Sequence, residues 1–311
     1  MRLPRAILAI ACASLGSAPA VMFYDTGNLT HNTTTPGIVD GLNASQPWNL
    51  QGQFGNFLGT PISANHFITA KHIGQPSTTI TFSGGANAGN YTIVGAPADS
   101  PNNDFRIWTI SGMFLDFAPL YTTNDEVGKN LLVIGRGTQR GANYIGPDSA
   151  VRGWNWGVED NVQRWGRNSV SGTFSGGNYL LSTFTPTSGV DEGMLSVGDS
   201  GGAVFIQSAG IWKLAGINFA VSGPFYSNNG TSGSGTRSAI YNESGLYSSG
   251  NNATFSGPLG LGSGVFVASR VSTDQAWIAS VIPEPSTYAM LIVAGGFVAL
   301  GFRRRFRRSD R

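Results

Sequence analysis

The stretch with the most chemical content is Gly198-Asp199-Ser200-Gly201-Gly202, followed at once by the apolar run Ala203-Val204-Phe205-Ile206. Glycines on both sides of a serine let the backbone come close to a reacting carbonyl. The amides of Gly198 and Ser200 can then converge on its oxygen as an oxyanion hole. A serine hydroxyl is a weak nucleophile until a base takes its proton. The motif therefore predicts a histidine elsewhere in the chain, with an acid to orient it. With three histidines present, His31, His66 and His72, the base is nearly a forced choice.

Two further stretches carry the missing types. Phe67-Ile68-Thr69-Ala70-Lys71-His72 ends an apolar run in a histidine, and Asn103-Asp104-Phe105-Arg106-Ile107 opens another with an aspartate. With the serine motif they resemble the chymotrypsin-like (trypsin-fold) serine proteases, which carry "TAAH", "ND-I-A-L" and "GDSGG" in the order His, Asp, Ser. The resemblance runs from about residue 50 to residue 280. It implies Ser200 as nucleophile, His72 as general base, Asp104 as the group orienting His72, and the amides of Gly198 and Ser200 as oxyanion donors. Such chemistry needs no metal or organic cofactor. Asp99 and Asp116 compete with Asp104 by position. Asp104 is preferred because Phe105, Ile107 and Ile110 follow it in the alternating setting of a buried carboxylate. In the same family the residue before the nucleophile often pairs with a newly cut N-terminus. Gly37-Ile38-Val39-Asp40-Gly41 only faintly resembles such a cut site, so a side-chain partner is expected for Asp199.

The resemblance also places a specificity pocket. Met194 stands where trypsin has its acidic pocket floor, with Phe219 on the edge strand and Gly264 on a wall. An apolar floor predicts that uncharged side chains are accepted, unless Asp191 or Glu192 reaches the pocket through a rearranged loop. The implied function is an endopeptidase acting on a protein or peptide substrate through an acyl-enzyme. The competing reading keeps the fold as a catalytically inactive surface binding or adhesion module, against which the presence of all three residues argues.

These residues need rigid elements to hold them. Short β-branched and aromatic runs at 51–62, 64–70, 78–82, 91–94 and 105–110 are bounded by Gly, Asn, Pro or Ser, as in a barrel or sandwich. A second set lies at 130–135, 179–184, 203–206 and 212–219, beyond a turn-rich link containing Pro119. The pattern predicts an all-β fold, and the resemblance implies two six-stranded Greek-key barrels, divided near 119–129, with the site in the cleft between them. A strand at 264–271 and a helix from Ser272 to Ile278, similar to the family's "GVY…V…WI" ending, would close the domain. The tract 227–256, rich in Ser, Asn and Gly, reads as a surface loop.

Both ends read as address labels. Residues 1–20 combine Arg2 and Arg5, an apolar run and Ala18-Pro19-Ala20, the pattern of a cleaved secretory signal. The polar segment 21–48 shows no sustained period and reads as an extended arm leading to a protease domain at 49–282. Pro283-Glu284-Pro285 opens a tail, 283–311, with a short apolar run and an arginine cluster. It resembles the PEP-CTERM sorting signal, which implies an exosortase-type partner and transient anchoring with the arginines on the cytoplasmic side. The ends hold eight of the 19 Lys and Arg and two of the 17 Asp and Glu, leaving the middle at net charge −4. Nothing in that balance points to nucleic acid. The single cysteine, Cys12, lies in the signal, so the mature chain has no disulfide and must be held by its core.

Overall fold

The computed structural model describes residues 21–186, 189–226, 235–247 and 263–282. The expected signal, most of the 227–256 loop and the Pro283-Glu284-Pro285 tail lie outside them. Within 21–48 the chain forms β1 (Met22–Phe23), a two-residue ribbon β2 (Ile38–Val39) with β3 (Leu42–Asn43), and one helical turn, α1 (Ser45–Asn49). Then come β4 (Gly52–Phe54), β5 (Phe57–Ser63), β6 (His66–Ala70), β7 (Thr79–Phe82), β8 (Gly89–Asp99) and β9 (Phe105–Ile110). These six close a barrel in the order β4-β5-β6-β9-β8-β7. Alternation along each strand turns Phe54, Phe67, Ile80, Phe82, Trp108 and Ile110 into one buried cluster.

The second unit is a seven-stranded sheet in the order β13-β10-β17-β18-β20-β15-β14. Its strands are β10 (Asn130–Gly135), β13 (Arg164–Ser169), β14 (Gly172–Phe174), β15 (Tyr179–Thr183), β17 (Ala203–Ser208), β18 (Ile211–Val221) and β20 (Val265–Arg270). The fold is thus mostly β with two units, but the second has seven strands and stays open, because its edge strands β13 and β14 are not paired to each other. The chain between β10 and β13 forms a long hairpin, β11 (Thr138–Ile145) and β12 (Val151–Glu159). Register shifts along this hairpin turn it away, and β12 pairs instead with β19 (Ser238–Ile240). The closing helix α2 (Gln275–Val281) follows β20, as expected.

Three contacts fix one unit on the other. The link between them is stapled at both ends, Ala118 N–H to Pro61 O at 2.9 Å and Tyr121 N–H to Leu214 O at 2.8 Å. A shared core runs through Leu58, Ile68 and Phe105 of the barrel to Ile134, Phe205 and Ile278. Gly201, at φ +79°, presses on the barrel so closely that a Cβ there would collide with Leu58 O and Thr69 Oγ1.

The segment 21–48 is not a free arm. Val21, Met22 and Phe23 are buried in the second unit's core, and β1 pairs antiparallel with β16 (Gly193–Met194). The Val21 side chain lies so close to the bare Cα positions of Gly166 and Gly193 that a Cβ at either would crowd it. A strand of two residues whose partner lies some 170 positions later leaves no local period to read.

Candidate functional site

Register brings the first two residues together. In the β6–β9 pair Ala70 faces Phe105, so the residues just beyond β6 meet those just before β9. The chain turns after Ala70 through a single 3₁₀ turn, Lys71–Ile73, and Lys71 N–H bonds to Asp104 O at 2.8 Å. Asp104 is buried. Its Oδ1 accepts the His72 backbone N–H at 3.0 Å, and its Oδ2 lies 2.5 Å from His72 Nδ1. Two oxygens holding one residue fix both the backbone and the ring of His72. The other ring nitrogen, Nε2, lies 2.8 Å from Ser200 Oγ. The imidazole is 40% exposed, open enough for a substrate to reach it.

The competitors lie elsewhere. Asp99 is paired with Arg106 at 2.6 and 2.8 Å, which holds its carboxyl below the usual range, and Asp116 accepts from Gln46 at 3.0 Å. His66 bonds to Ser63 Oγ at 2.9 Å, and burial pushes its pKa down. His31 bonds to Asp191 Oδ1 at 2.9 Å and meets the Phe23 ring edge-on.

The serine loop is built around Asp199. Its Oδ1 accepts Gly137 N–H at 2.8 Å, and its Oδ2 accepts Ser196 N–H at 2.7 Å and Ser196 Oγ–H at 3.0 Å. The Arg136 amide donates as well, while burial pushes the carboxyl up to about 6 against these donors. The partner is therefore mainly backbone, with Ser196 as the side-chain member. Ile38, in the stretch that only faintly resembles a cut site, lies exposed in the β2–β3 ribbon, away from Asp199's donors. Gly135 and Gly137 sit so close to Asp199 that a Cβ on either would collide with its carboxylate. Gly198, at φ +90°, packs against Gly137, where a side chain would not fit. Its N–H and that of Ser200 donate to no other group among the described residues. Asn218 Nδ2 ties the loop to β10 through Ile134 O at 2.9 Å and Asp199 O at 3.1 Å.

A cavity of about 240 Å³ opens beside Ser200, with Leu195, Ser196, Phe219, Val221, Trp156 and Arg237 among its walls. Phe219 lines the cavity from β18, stacked on Tyr179 at 4.9 Å and edge-on to His72 at 5.7 Å. Met194 corrects the sequence reading. It is 0% exposed, pairs with Met22 and belongs to the core behind the cavity rather than to its floor. Gly264 is also outside the wall, its N–H donated to Ile240 O at 2.7 Å and its carbonyl accepting Phe184 N–H at 2.8 Å. Asp191 bonds to His31 and Asn32, and buried Glu192 accepts from Asn168 at 3.1 Å, so neither lines the cavity. Sequence reasoning missed Trp156 and Arg237, which belong to the hairpin and the β19 approach. It also missed the brace under Asp104, where Ser100 Oγ–H donates to Asp274 Oδ2 at 2.5 Å and Asn103 Nδ2 to Thr273 Oγ1 at 3.3 Å.

With this geometry in place, likeness to known proteins adds an address rather than a chemistry. Residues 281–305 match the PEP-CTERM protein-sorting motif. Such motifs are recognised by exosortase-type processing enzymes, and they mark an exported chain held transiently at the membrane by its C-terminus. No curated protein sequence matches the chain. Among solved structures it is similar to the passenger domain of a plasmid-encoded toxin, an autotransporter enterotoxin from enteroaggregative Escherichia coli. The identity is 12% and the TM-score 0.42, over 76% of this chain and 23% of that one. The chain therefore spans less than a quarter of that structure's length.

Proposed function

We propose that the protein is an exported serine endopeptidase of the chymotrypsin-like kind. The observation that carries this reading is the unbroken line from buried Asp104 through His72 to Ser200, with contacts of 2.5 and 2.8 Å. Asp104 accepts a hydrogen bond from Nδ1–H, which keeps the proton there and leaves Nε2 as the basic nitrogen. As Ser200 Oγ attacks the peptide carbonyl, its proton passes to Nε2 and the carbonyl oxygen takes the electron pair. The N–H groups of Gly198 and Ser200 stabilise that oxyanion. His72 then returns the proton to the departing amine, leaving an acyl ester on Ser200. Water, deprotonated by His72, hydrolyses that ester and restores the enzyme.

Purified protein incubated with a mixed peptide substrate tests this. Ser200→Ala and His72→Ala are expected to lower turnover at least about 10³-fold, since the two act as one unit. Asp104→Asn is expected to cost on the order of 10³- to 10⁴-fold, because it presents the wrong tautomer of His72. Asp99→Asn loses only a partly exposed pair and is expected to change turnover little. Full turnover in folded Ser200→Ala protein would sink the reading.

A further inference from the structure

We infer that Arg237 makes the cleft select an acidic side chain on the acyl side of the cut bond, an inference that rests on the protease reading above. Two strands bring this arginine to the site. β12 pairs with β19 so that Asn155 faces Ser238, and Trp156 N–H bonds to Arg237 O at 3.2 Å. Trp156 and Arg237 are therefore neighbours on the cavity wall, with the guanidinium 5.7 Å from the indole centre. The side chain is exposed and makes no ion pair among the described residues. The neighbouring stretches 227–234 and 248–262, and the pair 187–188, contain no Asp or Glu that could supply one.

The other charged groups facing the cavity do not cancel it. Asp199 has its carboxylate turned into the amides of Gly137 and Ser196. His72 is engaged with Asp104 and Ser200. Asp191 and Glu192 have partners away from the cavity. What remains is a cation at the rim of a pocket whose sides, Leu195, Phe219 and Val221, are apolar. Such a pocket suits a side chain with a methylene stem and an anionic end. The stem covers apolar wall, and the carboxylate meets the guanidinium as water is displaced. A lysine or arginine in the same place would bring a like charge to Arg237 with no carboxylate to offset it.

Profiling the exported protein on a mixed peptide library, then on matched peptides with Glu, Gln or Lys before the cut, tests this. Glu is expected to exceed Gln in kcat/KM by about threefold to fivefold, the upper scale of one exposed ion pair, with Lys lowest. Arg237→Lys keeps the charge and is expected to retain the preference for Glu over Gln. Arg237→Glu is expected to invert the order toward Lys, a gain that a misfolded variant cannot show. Equal cleavage after Gln and Glu, or an unchanged ratio in Arg237→Glu, would overturn the role of Arg237 while leaving the protease reading standing. No cleavage of any peptide would overturn both.

Discussion

At the scale of single residues, the decisive contrast is between two aspartates with opposite tasks. Asp104 is held by the His72 groups it orients, whereas Asp199 is held by the amides of Gly137 and Ser196 and fixes the loop that carries Ser200. Burial pushes Asp199 up to about 6 from its ordinary 3.8. A carboxyl that binds its proton more tightly in the folded state makes folding take up a proton between those values. Its contribution to stability is therefore present below about pH 4 and is lost as the pH rises to about 6. Asp199→Asn removes that term, so the Tm of the native protein minus that of the variant is expected to shrink as pH rises from about 4 to 6. Thermal melts across that range check it, and a constant difference would place Asp199 at its ordinary value. The three residues that the structure brings together, His72, Asp104 and Ser200, were legible in the sequence because each carries its own local signature at a strand end or tight turn. The pocket was not. Met194 lies close to Ser200 along the chain, yet strand pairing with Met22 turns it into the core.

Elements show why the missing parts were hard to read. The first barrel could be followed in sequence because its strands alternate and are punctuated by Gly, Asn and Pro. β12, with Trp156 beside Asn155 and Gly157, offers no clean alternation, and its partner β19 lies some 80 residues further on. β1, one of four two-residue strands among the described residues, is the least visible and among the most buried. Phe23 is 3% exposed, packs on His31 and sits opposite Gly193, a few residues ahead of the Asp199 cage. Phe23→Ala is expected to cost about 3–5 kcal/mol of stability, the range for emptying a buried aromatic site. Urea denaturation measures it. A cost below about 1 kcal/mol, the scale of a surface change, would mean that 21–24 is the loose arm its composition suggests.

For the whole molecule, the site depends on two units meeting correctly. His72 and Asp104 come from the barrel, and Ser200 from the seven-stranded sheet. Gly201 pressed against Leu58 and Thr69 sets the distance between them, while the 273–274 turn braces the Asp104 loop from the far side. The C-terminal motif adds an address to this body. Replacing Pro283-Glu284-Pro285 is expected to leave the tail attached and the protein retained in the membrane fraction. Mass spectrometry of the wild-type surface form should then find no 288–311 peptide, and recovery of that peptide would contradict processing. The central claim is that Ser200 is a nucleophile activated by His72. The most direct measurement is covalent labelling of the purified protein with a fluorophosphonate, followed by peptide mapping. The account predicts one adduct, on Ser200, formed rapidly in the native protein and at least about 10³-fold more slowly in His72→Ala. An unlabelled Ser200 in folded native protein, or equal labelling without His72, would contradict it.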